Sequence, residues 1–554
     1  MDRRRRNRRS PAAVIGTVLV IILIVLIASF LYTRFSKSNE RMDPGEYFGI
    51  GQEQAALICD DQLLDGKGIV QNGTVYIPFD MVRSYFNAGF YWEESRNEVL
   101  LTLPEGTLEF PADDGSGRVV TLDGVIYMNA ETVRDNSDID MEIYQEPARV
   151  TARTSWDGLQ VREVIAEGEL RSEASLKSPI IRDLAEGDKL ILLEEGKDFD
   201  KVASADGYIG YAQSKNLQEA SAELLAHTTD QRYVFSHKLM DRKVVMGFQY
   251  MNEGSCDASV MAELIQSTGG MNVIAPTCFQ FADSQGTVTC LIGADYVQTA
   301  AAAGLQVWGT INDMEGEGGD IGQLLKNEDT RASIVSQLVN DAVSLGISGI
   351  NVDLESVTEE SVPHYIQFLK ELSVSGHQAG LIISADAYVP LYTKYLNRRE
   401  QAKTVDYIVI MGYDEHTNGS EEIGPVASLS YVDQGIKDTL KEVPKEQVIN
   451  ALPFYSRGWT TSGTDISSEA FGMDSADQFA SEHGIQLSWD DQTGQLYGSV
   501  DEGSQKYSIW VENEQSIEAK MKVVQGYDIG GVAAWRLGLE RSDVWEIIQK
   551  YLES

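Results

Sequence analysis

"GISGINVDLESV", Gly346 to Val357, is the stretch from which the rest of the chain can be read. Asn351, Asp353 and Glu355 alternate there with Ile350, Val352 and Leu354. On a β-strand, residues two apart share a face. One strand would therefore aim three polar side chains one way and bury its apolar residues the other way. Glu355 closes the series, where strand gives way to loop. An amphipathic edge strand with solvated polar residues is the plain reading. Carboxylates on an otherwise apolar strand are costly unless something uses them. In a barrel of parallel strands, this end of the strand is where active sites sit.

Outward from this stretch, the texture from Lys243 onward is a repeating alternation of strand and helix. Apolar strands are expected at 243–251, 271–279, 305–311, 347–355, 380–389, 405–415, 448–456 and 530–538. Helical patterns separate many of them, such as 331–346 and 362–376. Eight such strands with crossover helices predict an α/β fold, a C-terminal (β/α)8 TIM barrel over 241–554. The long interval 457–529 reads as an inserted antiparallel unit that walls one side of a cleft.

Chemistry-bearing residues gather at the ends of these strands. Strand four offers Asn351, Asp353 and Glu355. Strand six ends in "VIMGYDE", with Met411 and Tyr413 on one face and Asp414 next. Strand seven leads into Tyr455 and Arg457, strand eight carries Trp535, and strand one offers Tyr250. Carboxylates, tyrosines and a tryptophan at one barrel mouth suit a sugar, whose rings stack on aromatic faces. Each has a bland alternative. For Tyr413 and Trp535 it is packing, for Met411 shape-filling, and for Arg457 pairing with one of many acids.

The chain has 554 residues and a net charge of −40. Setting aside residues 1–9, with six arginines and one acid, leaves 39 basic against 84 acidic residues, a net −45. So acidic a body is a poor nucleic-acid binder. Six scattered histidines and four cysteines show no metal-ligand spacing, and neither a metal nor a cofactor is expected. Cys278 and Cys290 flank a hairpin pattern with its turn near Asp283–Gly286. They are placed either to bridge or to stand as two buried thiols.

Ala12 to Tyr32 is 21 residues without a charge, long enough to span a bilayer as a helix. The preceding arginines, in 1–11, favour the cytoplasmic side. No convincing small-x-small cleavage site follows Ala28, so an uncleaved transmembrane anchor over 12–32 is expected, with the rest of the chain extracellular. A stalk follows at 33–46. Two small β-rich accessory domains are expected at 47–150 and 151–217, then a linker at 218–240.

The first accessory domain resembles the repeat domain found at the N-terminus of copper amine oxidases, on "NGTVYIPFDMVRSYFN" and its echo "GVIYMNAETVRD". The second resembles bacterial Src-homology-3-like domains, on "ELRSEASLKSPII", the turn at Gly187 and "DGYIGYAQ". The barrel, roughly 240–552, resembles glycoside hydrolase family 18, the chitinase-like group, on "GINVDLE", "MGYDE" and "AWRLG". Within it, "NVDLE" and "WRLGLE" look most like the peptidoglycan-active branch, the spore-cortex and cell-wall N-acetylglucosaminidases. Ser348 and Asn351 stand where the usual family signature has acids.

The resemblance implies a glycosidase acting on N-acetylglucosamine-containing polysaccharide. Glu355 would be the acid, Asp353 the orienter of the substrate acetamido group, and Tyr413 its hydrogen-bonding partner. Asn351 and Asp414 would support that network, and Trp535 would floor the sugar subsite. The substrate's own acetamido oxygen would act as nucleophile, a recognised exception to the two-carboxylate rule. Two other readings stay open: a barrel that binds N-acetylated glycan without cutting it, and a chitinase proper.

Overall fold

A computed structural model describes residues 15–16, 18–27, 37–252 and 256–552. The chain divides into two compact units. One is Met1–Ala88 with Ala112–Asp230, the other Gly89–Pro111 with Gln231–Ser554. The anchor expected at 12–32 lies partly outside the described residues. Among the described residues, no helix is long and apolar enough to cross a membrane.

The first unit holds two seven-stranded sheets. One is built from residues 54–153 and is antiparallel apart from the pairing of Gln54–Cys59 with Ala148–Arg153. The other runs from Val161 to Ala220, through the stretch expected to be Src-homology-3-like. Its strands are four to six residues long because turns interrupt them. Gly187 takes φ +93°, a left-handed conformation that suits a residue without Cβ. Phe48, Ile58, Leu170, Leu190 and Val202 lie in one shared core.

The second unit is the barrel, and all eight expected strands are present. They are β1 (Val244–Gln249), β2 (Val273–Pro276), β3 (Gln306–Gly316), β4 (Gly349–Asp353), β5 (Ile382–Tyr388), β6 (Tyr407–Met411), β7 (Val448–Pro453) and β8 (Gly531–Trp535). Each pairs in parallel with its sequence neighbours, and β8 pairs with β1, which closes the sheet. Every residue of β1, β2, β4, β6 and β7 is buried. This is the pattern of strands covered on both faces.

The helix Glu328–Leu345 delivers the chain to β4. Asn327 caps its start, and Glu328 and Asp329 favour the positive end of its dipole. Gly346 ends it at φ +80°. Three residues later β4 begins. A Cβ at Gly349 would lie 2.9 Å from both Ile382 O and Trp308 Cδ1, so this position requires the bare backbone.

Between β7 and β8 lies the expected insert. Five antiparallel strands, Tyr455–Ser462 to Gln505–Val511, are joined by the helix Met473–Glu482. A further three-stranded sheet, Phe90–Pro111, also belongs to this unit, although its sequence lies inside the 47–150 stretch. Arg331, on the helix before β4, is fully buried and reaches Glu93 of this sheet at 2.9 Å and Glu371 of the next helix at 3.1 Å. Gln367 donates to Thr102 at 2.9 Å. Cys278 and Cys290 flank the hairpin Phe279–Phe281/Val288–Cys290 as neighbouring free thiols.

Candidate active site

Register places the polar residues of the barrel in rungs. Asn351 of β4 stands opposite Thr310 of β3 and Ser384 of β5, and Asp353 stands opposite Asn312. One step beyond the Val352–Ala385 pair come Asp353 and Asp386, and burial, then the charge of Asp386, raise the Asp353 pKa. Tyr388, at the end of β5, stands opposite Met411 of β6. The lower rung is fully hydrogen-bonded. Ser384 donates to Asn351 Oδ1 at 2.6 Å, and Asn351 Nδ2 donates to Asp386 Oδ2 at 2.9 Å. A buried amide is tolerable only in such a satisfied setting.

Glu355 sits just past β4, partly buried. Its backbone N–H donates to Asp313 Oδ1 at 2.9 Å, and that of Ser356 donates to Asp313 Oδ2 at 3.0 Å. The Ser356 hydroxyl also donates to Asp313. One carboxylate therefore pins the loop that carries Glu355. The Tyr388 hydroxyl donates to Glu355 Oε2 and fixes its side chain. Burial raises the Glu355 pKa. The Tyr388 bond lowers it, while Asp313, Asp414 and Glu315 push it up again. The net shift is upward, as a proton donor working near neutral pH requires.

Asp353 is also raised well above the usual carboxylate range, by burial first and then by Asp386 and Glu355. Asp386 is pushed up to about 8, chiefly by burial. Asp353 Oδ1 and Asp386 Oδ1 are buried without a partner among the described residues. Buried Tyr413 follows β6, and Tyr431 donates to its carbonyl at 3.2 Å. Asp414 takes φ +60°, which Asp tolerates better than most residues, and accepts from the Tyr455 hydroxyl.

Asp353, Glu355, Asp386, Tyr388 and Met411 line a cavity of about 70 Å³. A larger cavity, about 510 Å³, lies in the first unit beside Trp156 and Arg153. Size alone would favour it, but the raised, convergent carboxylates are in the barrel.

The model of glycosyl hydrolases family 18 matches residues 243–540, more than half of the chain. The chain belongs to this family. Residues 167–218 match the bacterial SH3 domain model. Among relatives of the family 18 barrel, an uncharacterized glycosylase of Bacillus subtilis, YvbX, is 22% identical over 293 residues, which are 50% of this chain and 84% of that protein. The cortical fragment-lytic enzyme of the same organism is 24% identical over 243 residues, 41% of this chain. The chain spans only 56% of that enzyme's length. The crystal structure of the Bacillus cereus spore cortex-lytic enzyme SleL shares the fold, with a TM-score of 0.50 at 18% identity over 59% of this chain and 78% of that one. The chain is thus a chitinase-like glycoside hydrolase related to spore cortex-lytic enzymes.

Within this family 18 site, Asn351, Asp353, Glu355, Met411, Tyr413, Asp414 and Tyr455 come together at the C-terminal ends of β4, β6 and β7. Trp535 closes β8, half-buried, with its ring 5.6 Å from Phe248. Tyr250 lies after β1 with the Arg536 guanidinium 5.1 Å from its ring centre. Arg457 lies on the insert and donates to Ser468 at 3.2 Å; burial raises the Asp414 pKa, and the Tyr455 hydroxyl and Arg457 offset part of that rise.

Three residues of the site were not singled out from the sequence: Asp386, Tyr388 and Asp313. For the first two a signal exists. "SADAY" puts Ser384, Asp386 and Tyr388 on one face of β5, the same alternation as Asn351, Asp353 and Glu355 on β4. Asp313 carries no local signal, because its partners are 42 and 43 residues away.

Proposed function

We propose that this chain is a membrane-anchored, extracellular glycosidase that hydrolyses β-1,4 bonds in N-acetylglucosamine-containing cell-wall glycan, peptidoglycan. It acts by substrate-assisted, retaining catalysis. The observation that carries this reading is Glu355: an acid with a raised pKa, held through one oxygen by Tyr388, at the mouth of a barrel. Glu355 protonates the leaving oxygen. The 2-acetamido oxygen of the bound sugar attacks the anomeric carbon and closes an oxazolinium ring. Asp353 accepts the acetamido N–H, and Tyr413 positions the acetamido oxygen. Water then opens the ring, with Glu355 taking the proton, and the configuration at the anomeric carbon is retained. Trp535 lies under the reacting ring, with Tyr250, Tyr455 and Arg457 around it.

The relation to cortical fragment-lytic enzymes supports a wall glycan over chitin. The charge-free stretch 12–32 behind a cluster of arginines supports the anchor. The β-rich stretch 47–150, with its likeness to the copper amine oxidase repeat, and the Src-homology-3-like domain would hold the barrel near its polymer.

The test is digestion of purified peptidoglycan by the full chain, with Glu355→Gln alongside, and product ends read by mass spectrometry. Fragments with reducing N-acetylglucosamine ends are expected from the natural chain, with a loss of at least about a hundredfold in the variant. Equal activity in Glu355→Gln would remove the acid from the mechanism. Glycan retained uncut by both proteins would mark a binding barrel, and cleavage of chitin alone would mark a chitinase.

A further inference from the structure

The mechanism above leaves unused a buried carboxylate that lines the site cavity itself, Asp386. Asp386 is only 8% exposed, as is Asp353 on the neighbouring strand. No lysine or arginine side chain is hydrogen-bonded or ion-paired to either carboxylate among the described residues. The groups that face the pair are Glu355 just past β4, Asp313 and Glu315 from the end of β3, Tyr388 from β5, Tyr413 after β6, and Tyr365 from the helix after β4. All are acidic or neutral. Two anions side by side in such a place repel each other, and both pay for lost hydration.

Hydrogen bonding points the same way. Asp386 Oδ2 is taken by Asn351 Nδ2 at 2.9 Å. Its Oδ1 and Asp353 Oδ1 are both buried acceptors without a donor. The donor that would satisfy them is a proton lying between them. Asn351 cannot supply it, since its amide already spans Asp386, Thr310 and Ser384.

We propose that Asp386 is a positioning residue that keeps a proton beside Asp353, so that Asp353 can stand as the anion that receives the substrate's N–H. Asp386 is the neutral member, and its O–H donates to Asp353. No bond to substrate is made by Asp386, and no net proton is lost or gained in the cycle. Its raised pKa, about 8, agrees with a neutral form at neutral pH.

The proposal separates two substitutions. Asp386→Asn keeps a donor toward Asp353 and an acceptor for Asn351. Asp386→Ala keeps neither. On a soluble N-acetylglucosamine oligomer, Asp386→Asn should hold kcat within about threefold of the natural chain. Asp386→Ala should lose at least about tenfold in kcat with KM changed less than about threefold, the scale expected when a buried charge loses its donor. This activity arm rests on the glycosidase reading. A second arm does not. With carbon-13 in the aspartate carboxyls, nuclear magnetic resonance of the full chain without substrate should show one aspartate titrating above about pH 7, far from the usual ~3.9. That resonance should persist in Glu355→Gln and vanish in Asp386→Asn. Its absence from the natural chain, or its survival in Asp386→Asn, would overturn the proposal. So would equal kcat losses in the Asn and Ala variants. The raised titration, found in a protein inactive on every glycan, would instead sink the substrate assignment and leave the pair standing.

Discussion

Glu355 works within a balance of opposing effects on its proton. Burial and three neighbouring carboxylates raise its pKa, and the Tyr388 hydroxyl lowers it by donating to the charged form. Tyr388→Phe removes the lowering contribution alone. The acid should then hold its proton to higher pH, and the alkaline limb of kcat/KM should move up. The rate at its optimum should fall by about tenfold, because Oε2 is no longer fixed. A pH profile of both proteins checks this. An alkaline limb that stays still or moves down would mean that Tyr388 does not bond the ionised form. Much of the placement of these residues was legible in the sequence. Asn351, Asp353 and Glu355 announce themselves by alternation on β4. The matching alternation of Ser384, Asp386 and Tyr388 was present but lacked a glutamate at its end to draw attention. Asp313 was illegible for a physical reason. It acts by capping backbone N–H groups of a distant loop, and nothing in the local pattern "TINDMEG" requires that.

At the scale of elements, the eight barrel strands were readable because apolar runs of fixed length recur between amphipathic helices. The five-stranded insert was readable from turn-rich, alternating sequence. The sheet Phe90–Pro111 was not. Its strands look like those around them, and only packing shows that it belongs with the barrel unit. The join is made by fully buried Arg331, which meets fully buried Glu93 and partly exposed Glu371. Breaking a buried pair from one side leaves an under-compensated charge. Glu93→Ala should therefore lower stability by about 2–4 kcal/mol, with Glu371 keeping the loss from being larger. Chemical denaturation of the two proteins measures it. A change below about 0.5 kcal/mol, the scale of a surface substitution, would show that the sheet contributes little to the barrel's stability.

At the scale of the whole molecule, charge sets how the chain meets a polymer. Residues 10–554 carry a net −45, while a soluble N-acetylglucosamine oligomer is neutral. Peptidoglycan bears carboxylates on its peptides, so an intact wall repels this body as the two approach. Screening length falls from ~30 Å at 0.01 M salt to ~8 Å at 0.15 M. The repulsion acts on encounter, so it enters kcat/KM and leaves the proton transfers at Glu355 untouched. Raising salt across that range should increase kcat/KM on insoluble wall several-fold. On the neutral oligomer it should change by less than about twofold. Initial rates on both substrates at matched pH decide the matter. Equal salt dependence would place the charge effect inside the site, among Asp313, Glu315 and Asp414. A fall on the wall alone would point to a local basic surface that grips the polymer.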